Sequence, residues 1–395
     1  MIWETYSKWG GVAYQFILCL NLIMAFVYLI NQKLDYKKLF IAALFIVFFI
    51  FISFHTYNNQ INYGFGSIVL MLLIVLFLQI NDIDQKEVFK VFSFIFMLAV
   101  IPAIIYWIGE ELLNIKFSYG IIYPINSIKN SGGTLYKHFF GAIIAINKNY
   151  IIDTPRLCGV FDEPGVIGTV AALLLVGDKL DLKKNKKNII IFVAGVLSFS
   201  LTFFVLIVIY YTIKNITKSP KKIIIFAFTI ITCLFLISTY GVKNELLNRY
   251  IFSRLEIQNG EISGNNRTSD SFDYIYNNFL NSGDLKDIFF GKGTDAANNN
   301  IWMIGSSSYK KLIYDFGIIG SFYSLIFILC IIPIKYKEPN KDMIIFVLIF
   351  VFSIYQRPYV MNLQYLVILL GGISNLYLTI NEKEEKDSQS FKIYE

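Results

Sequence analysis

Long apolar blocks separated by short lysine-rich connectors constrain the fold of this 395-residue chain more than any other feature. A helix needs roughly 17–25 residues to cross a hydrocarbon core about 30 Å thick, and most of the blocks approach that length. Only 16% of the residues are charged, against about 25% in a typical soluble domain. The sequence therefore predicts an all-α polytopic membrane protein. The apolar blocks are residues 11–30, 39–54, 64–80, 91–108, 165–177, 188–213, 223–239, 312–334, 343–357 and 362–379.

The short connectors indicate how the spans are oriented. Together they carry 20 of the 35 basic residues, and the positive-inside rule places such connectors in the cytoplasm. The net charge of +7 therefore reports topology, and it does not form a basic patch for nucleic acid. The connectors are Asn31–Lys38, Asn81–Lys90, Asp178–Lys187, Lys214–Lys222, Ile334–Asp342 and the tail Asn381–Glu395.

The block at 188–213 is flanked by basic connectors on both sides, although a single span would put its flanks on opposite sides of the membrane. Its middle is the polar stretch Ser198–Thr202. We interpret the block as a broken helical hairpin with a polar tip, because irregular backbone at membrane depth is tolerated where it lines a cavity or is buried in protein. One ordinary long helix is the alternative.

With this hairpin, the chain forms a single membrane domain over residues 1–395 with about 11 transmembrane helices (10–12). The N-terminus is predicted outside, and the tail at 381–395 is predicted in the cytoplasm. Two long extracytoplasmic loops follow, at 109–164 and 240–311. No ionisable residue lies deep in a predicted span, which disfavours an ion-coupled transporter. The cysteines show no metal or disulfide spacing.

All five arginines fall on the predicted outer side, whereas the cytoplasmic connectors use only lysine. Arginine holds phosphate groups through a rigid fork of donors and keeps its charge at any working pH. A group of outward arginines beside a membrane therefore suggests an anionic ligand, most simply the phosphate or diphosphate of a lipid. Loop-stabilising salt bridges are the alternative. The arginines are Arg156, Arg249, Arg254, Arg267 and Arg357.

The first outer loop ends in the motif P-R-L-C-G-V-F-D-E-P-G at Pro155–Gly165, which runs directly into a predicted helix. Pro164 suits the first helical turn, and Glu163 would then lie near the positive end of the helix dipole. A turn at Gly159 would bring Arg156 and Glu163 together. Glu163 is a candidate general base, or alternatively a capping residue beside a structural arginine.

The second outer loop contains G-N-N-R-T-S-D-S at Gly264–Ser271, followed by apolar residues at helical spacing. This pattern predicts a capped amphipathic helix that lies on the membrane surface or packs on the spans. Arg267 precedes the helix, so arginine and helix dipole could address one anion. The apolar residues are Phe272, Ile275, Tyr276 and Phe279.

Three further motifs complete the second loop: F-G-K-G at Phe290–Gly293, G-S-S-S-Y at Gly305–Tyr309, and L-I-Y-D-F-G-I-I-G at Leu312–Gly320. F-G-K-G lacks the remainder of a nucleotide phosphate loop. The ordered set from Pro155 to Gly320, including the S-F-S-L-T tip and N-R-T, resembles the O-antigen polymerase and ligase superfamily of bacterial envelope enzymes.

The resemblance implies a polysaccharide polymerase in the bacterial cytoplasmic (inner) membrane, with its active site facing outward. Such an enzyme joins undecaprenyl-diphosphate-linked oligosaccharide repeat units into O-antigen or capsular polysaccharide, and a chain-length regulator and a flippase are its expected partners. Arg156 and Arg267 would stabilise the departing diphosphate, and Glu163 would accept the proton of the acceptor hydroxyl. No cofactor or metal is implied. Further candidates for substrate binding are Arg249, Arg254, Arg357, Ser198, Ser200, Tyr309 and Asp315.

One departure from the family concerns histidine. Many members, especially ligases, carry a histidine where this chain has Ser306–Ser308, and neither His55 nor His138 matches that position. This favours a polymerase over a ligase that transfers a finished glycan. A flippase or exporter of lipid-linked oligosaccharide is the alternative from another class, but it predicts short loops and charges within the spans. A non-catalytic scaffold is a third possibility.

Overall fold

Apolar helices dominate the computed structural model, as the hydropathy pattern predicts. It describes residues 10–30, 35–55, 65–124, 133–147, 155–183, 185–216, 257–258, 261–262, 270–281, 284–294, 296–299, 308–358 and 362–392. The predicted span at 223–239 lies outside the described residues, as do Arg249, Arg254 and Arg267.

Most helices begin and end within about three residues of the predicted blocks, but two are longer. The helix Asp82–Trp107 includes most of the connector predicted at Asn81–Lys90, and the helix Leu363–Lys392 continues through most of the predicted tail. Up to residue 216 the helices are α1 (Gly10–Ile30), α2 (Tyr36–Phe54), α3 (Phe65–Gln79), α4 (Asp82–Trp107), α5 (Pro164–Gly177), α6 (Lys186–Leu197) and α7 (Leu201–Ile216). In the second half they are α8 (Asp270–Asn281), α9 (Leu285–Phe290), α10 (Ala296–Asn299), α11 (Tyr309–Lys335), α12 (Lys341–Gln356) and α13 (Leu363–Lys392).

Three helical segments among the described residues are long and apolar enough to cross a membrane: Tyr36–Phe54, Asp82–Leu112 and Tyr309–Lys335. Several shorter apolar helices accompany them, including α5 and α7. The helices indicate a membrane protein, and the count of about 11 spans stays a prediction.

The prediction of an all-α chain is corrected by a four-stranded antiparallel sheet in the segment predicted as the first outer loop. The strands β1 (Gly120–Ile122), β2 (Thr134–Phe139), β3 (Ala142–Asn147) and β4 (Arg156–Gly159) lie in sequence order. Each strand pairs with the next one along the chain, which satisfies the backbone donors and acceptors that an irregular loop would leave to water. Two short strands, β5 (Ile257–Gln258) and β6 (Glu261–Ile262), form a separate pair.

The chain divides into two compact units. The first, here called the sheet unit, comprises Met1–Ile2, Ile95–Ala172 and Leu182–Ser269. The second, the helical unit, comprises Trp3–Phe94, Leu173–Asp181 and Asp270–Glu395.

Within the sheet unit, the helix of the 188–213 block is interrupted where the sequence predicts a polar tip. α6 ends at Leu197 and α7 begins at Leu201, and Phe199 between them has a left-handed φ of 46°. The ring of Phe203 in α7 lies against Gly195 in α6, where an added Cβ would stand 2.2 Å from the nearest ring carbon. α6 has 12 residues and is therefore about 18 Å long, too short to span a bilayer alone.

Within the helical unit, the predicted amphipathic helix is present as α8, and it packs on the protein. Phe272, Tyr276 and Phe279 are buried on one face, and they form a core cluster with Tyr314 of α11. Tyr274 on the opposite face is exposed. The i, i+4, i+7 spacing of the apolar residues therefore serves to dock the helix on the beginning of α11.

Candidate active site

Arg156 begins β4 and ties this strand to the polar tip between α6 and α7. Its Nε donates to the carbonyl of Ser198 at 3.1 Å, and its Nη2 donates to the carbonyl of Phe199 at 3.0 Å. These carbonyls follow the last turn of α6, where backbone acceptors lack intrahelical partners. The fixed fork of the guanidinium matches two adjacent carbonyls, which a lysine ammonium could not bridge with the same geometry.

The backbone then leads from Arg156 to Glu163 through a tight turn. Gly159 ends β4 with φ 58°, as the predicted turn requires, and the amide of Phe161 donates to the carbonyl of Cys158 at 3.0 Å. Pro164 is the first residue of α5, so Glu163 immediately precedes the helix, as predicted. A carboxylate at this place is favoured by the helix dipole. The motif thus joins an arginine and a carboxylate within one short connection.

The tip is also held from the side of α5, because a glycine allows close approach there. A Cβ added at Gly168 would lie 2.4 Å from the Cβ of Ser200 and 3.1 Å from the hydroxyl of Ser198. Both serines are buried, and the Ser198 hydroxyl donates to the carbonyl of Gly195 at 2.6 Å. The tip therefore packs against α5 while Arg156 holds its carbonyls.

Two aromatic residues that the sequence reasoning missed complete this neighbourhood. Trp107, the last residue of α4, donates from its indole nitrogen to the carbonyl of Pro155 at 2.7 Å, and its ring lies 6.3 Å from that of Phe199. Tyr136 in β2 donates to the carbonyl of Asp162 at 2.6 Å. The only sequence signal for Trp107 is its place at the end of a predicted span, where aromatic residues are common.

We define the arginine–tip site as Arg156, Glu163, Ser198, Phe199 and Ser200. Four of these five residues are candidates that the sequence singled out, and they come from three elements of the sheet unit. The chain separates Arg156 from Ser198 by 42 positions, so their contact depends on the fold and not on local sequence.

The remaining described candidates belong to the helical unit, where two glycine motifs meet. Gly291 has φ 81° and Gly317 has φ 66°. A Cβ on either glycine would lie 2.5 Å or less from backbone atoms around the other motif, so no other residue fits at this crossing. F-G-K-G therefore packs directly against the kink in Y-D-F-G, where α11 departs from helical geometry at Gly317.

The carboxylate of Asp315 is buried at this crossing and is bound by other groups of the protein. The residue is only 2% exposed, and its carboxylate accepts from the amide of Ala297 at 3.0 Å and forms an ion pair with Lys311 one turn earlier. Its backbone carbonyl accepts from the amide of Gly293 at 2.9 Å. These contacts favour a role for Asp315 in holding the loop to α11.

The other two candidates of the helical unit lie at helix ends. Tyr309 begins α11, and its ring stacks on Tyr355 of α12 at 4.9 Å. Arg357 caps the C-terminus of α12, where its amide donates to the carbonyl of Ser353 at 3.0 Å. Only 1% of Arg357 is exposed, which favours packing over contact with a ligand from solvent.

His55 also contacts the glycine crossing. Its Nε2 donates to the carbonyl of Gly291 at 3.0 Å, and its own carbonyl accepts from the amide of Thr294 at 2.8 Å. The histidine thereby fixes the end of α2 to the loop.

Tyr276, on the buried face of α8, holds its phenol proton more tightly than a free tyrosine does. Burial raises the pKa of Tyr276 to about 12, with a smaller contribution from Tyr309.

Comparison with protein-family models, with curated proteins and with solved structures finds no match for this chain.

Proposed function

We propose that this protein is a membrane glycosyltransferase that polymerises undecaprenyl-diphosphate-linked oligosaccharide repeat units on the outer side of the bacterial cytoplasmic membrane. The observation that carries the proposal is the contact of Arg156 with the carbonyls of Ser198 and Phe199. Arg156 is a permanent cation, the two carbonyls belong to a helix interruption, and the motif that begins with Arg156 leads on to Glu163. All three features lie in one unit of the protein.

A lipid diphosphate suits this combination of features. Its charged headgroup lies at the membrane surface while its tail stays in the hydrocarbon, so a receptor for it needs a cation beside apolar helices. The carbonyls of the interrupted helix accept from the guanidinium and so hold the cation in place, and irregular backbone of this kind is tolerated in a membrane protein where it is buried in protein. Arginine is the side chain best suited to hold two phosphate oxygens together.

The reaction would be an inverting transfer at the sugar carbon next to the diphosphate. A hydroxyl oxygen of the acceptor repeat unit attacks that carbon, the carbon–oxygen bond to the diphosphate breaks, and the hydroxyl proton passes to Glu163. Negative charge then grows on the diphosphate, where Arg156 stabilises it more strongly in the transition state than in the ground state. Arg267, which lies outside the described residues, would share this task.

The test is polymer synthesis by the purified protein in lipid vesicles supplied with lipid-linked repeat units. We expect a ladder of glycans on the lipid without any added acceptor. A ligase would instead extend nothing until a separate lipid or protein acceptor is present, and a flippase would move the substrate across the bilayer without joining it. Either of these results would refute the proposal.

Variants of Arg156 separate catalysis from folding. We expect Arg156→Ala to lower the rate of polymer formation by about 10²–10³-fold, the usual effect of removing one donor to a developing oxyanion. Arg156→Lys keeps the charge, and its rate of polymer formation should fall between those of the wild type and of Arg156→Ala. Lys183→Ala, at an exposed lysine of the same unit, is the control and should leave the rate unchanged. Thermal unfolding of each variant shows whether the tip is still held.

A further inference from the structure

The sheet of the sheet unit carries exposed apolar side chains along one edge and at one turn. Phe140, at the turn between β2 and β3, is 82% exposed. Ile121 and Tyr123 alternate along β1 and past its end, and both are more than half exposed. The connection from α4 to β1 adds further exposed apolar residues: Leu112, Leu113 and Ile115.

This surface is held rigidly at the end of α4. Tyr106 is 1% exposed, and its ring lies 5.7 Å from that of Phe117, 6.0 Å from that of Tyr119 and 5.3 Å from that of Phe139. A Cβ added at Gly109 would stand 2.1 Å from the ring of Phe117, so the connection folds tightly back on the helix. The apolar surface therefore belongs to an ordered sheet.

The surface continues the exposed apolar side of a helix that is long enough to cross a membrane. The segment Asp82–Leu112 is one of the three such helices among the described residues. From Val91, after the last lysine of its charged first turns, to Leu112 it is about 33 Å long at 1.5 Å per residue, close to the thickness of the hydrocarbon core. The exposed apolar residues on this part include Ile95, Leu98, Ile105, Ile108 and Leu112.

A lysine and two tyrosines around this surface also suit a membrane interface. Lys116 is exposed between Ile115 and Phe117, where an ammonium can reach lipid phosphates while its stem lies along apolar surface. Tyrosines, which prefer the headgroup layer, stand at Tyr119 and Tyr123.

We infer that the β1 edge and the β2–β3 turn of this sheet bind the interface of the phospholipid bilayer at the end of α4. Phe140, Ile121, Leu112, Leu113 and Ile115 enter the lipid layer, while the tyrosines and Lys116 contact the headgroups. The segment predicted as an outer loop is thus a second contact with the membrane, beside the spans themselves.

The position of the sheet also bears on Arg156, a point that rests on the proposed function. β4, which carries Arg156, lies three strand spacings from β1 in the same sheet, and strands lie about 4.8 Å apart, so Arg156 stands about 14 Å from the β1 edge. A sheet whose edge lies in the headgroup layer keeps Arg156 within a short distance of the layer that holds lipid phosphates. The sheet would then set the height of the arginine–tip site relative to a lipid-linked diphosphate.

Photocrosslinking tests lipid contact directly. The full-length protein is reconstituted in vesicles of phosphatidylethanolamine and phosphatidylglycerol, with p-benzoylphenylalanine in place of Phe140, of Ile121 or, as a water-facing control, of Lys183. After illumination, mass spectrometry measures the fraction of protein that carries a phospholipid adduct. The aromatic replacement at Phe140 is conservative, and Ile121 gives a second position if one variant does not fold.

We expect phospholipid adducts at positions 140 and 121 in several-fold excess over position 183. Adduct fractions equal to the control, or crosslinks to a second copy of this chain at positions 140 and 121, would overturn the inference. Crosslinking needs no turnover, so it is independent of the proposed function. Lipid adducts without polymer formation would leave the membrane contact standing and refute the polymerase, and polymer formation without lipid adducts would do the reverse.

Discussion

A buried ion pair in the helical unit offers a quantitative test of the packing of its helices. Lys335, at the end of α11, forms an ion pair with Asp82 in the first turn of α4. Its ammonium also donates to Gln85 at 2.6 Å and to the hydroxyl of Ser374 in α13 at 3.2 Å. The lysine side chain is only 5% exposed, whereas that of Asp82 is 25% exposed. The network thus joins three helices through one buried cation.

The difference in exposure between Lys335 and Asp82 determines how much each substitution should lower the free energy of unfolding. Asp82→Asn leaves the buried ammonium without its counter-ion, and breaking a buried pair in this way costs about 3–5 kcal/mol. Because Asp82 is partly solvated and the pair therefore partly screened, we expect the lower end, about 3 kcal/mol. Lys335→Met leaves a carboxylate that water can reach, so its cost should be smaller, about 1–2 kcal/mol. The double variant removes both charges and should regain most of the loss.

Thermal unfolding of the detergent-solubilised protein measures these differences. A loss of about 3 kcal/mol lowers Tm by roughly 6–12 °C at the 2–4 °C per kcal/mol usual for domains of 150–250 residues. The control is Glu87→Gln, which removes an exposed ion pair with Lys90 and should change stability by no more than about 0.5 kcal/mol. Equal losses in Asp82→Asn and Glu87→Gln, or additive losses in the double variant, would refute this reasoning.

Three further predictions concern the helical unit. Gly317→Ala places a Cβ 2.3 Å from a backbone carbonyl at a positive φ, so it should cost about 2–4 kcal/mol of unfolding free energy. The control is Gly120→Ala in the sheet unit, where the added Cβ would meet only the His138 ring at 4.0 Å and the cost should stay within about 0.5 kcal/mol; thermal unfolding compares the two variants. Phe272→Ala leaves a cavity at a fully buried position on α8 and should lower the free energy of unfolding by about 3–5 kcal/mol. Tyr274→Ala, at an exposed position on the same helix, should lower it by about 0.5 kcal/mol or less. Equal Tm values for the two variants would contradict the docking of α8. Burial raises the pKa of Tyr276 from 10.0 to about 12, so the folded state holds this proton more tightly than the unfolded state. The free energy of unfolding should therefore fall between pH 10 and about 12. Tyr276→Phe should lack this component when unfolding is measured against pH.

Local patterns in the sequence predict the helices well, because the signals are local. The apolar spacing of Phe272, Tyr276 and Phe279 indicates a helix with one buried face, and α8 has that face. The polar stretch at Ser198–Thr202 predicts the interruption between α6 and α7. The turn at Gly159 and the helix start at Pro164 likewise follow from residue types with known backbone preferences.

The sheet escaped prediction because its hairpin lacks the usual turn signal. Both Phe140 and Gly141 have positive φ, at 43° and 79°, a conformation in which Asn-Gly or Asp-Gly is typical. Phenylalanine at the first turn position gives no such indication. The flanking strands give no common signal either, because β3 is almost wholly apolar whereas β2 contains Lys137 and His138. The sheet is stabilised by Tyr106, which belongs to a preceding helix and cannot be linked to the strands from sequence alone.

Contacts between segments that are distant in the chain could not be predicted from the sequence either. The sequence places Lys335 in a solvated cytoplasmic connector, whereas the structure buries it against Asp82 and Ser374. The close approach of Gly291 and Gly317 depends on two backbone conformations that meet only in the folded chain. The contact of Arg156 with the tip is of the same kind, although both partners were singled out beforehand.

The most direct test of the central claim is the amount of undecaprenyl diphosphate that the purified protein releases for each glycosidic bond it forms. A polymerase that transfers the glycan from one lipid diphosphate to the next repeat unit releases one lipid diphosphate per bond, and Arg156→Ala should slow both in parallel. Bond formation without release of lipid diphosphate, or release without bond formation, would contradict the account.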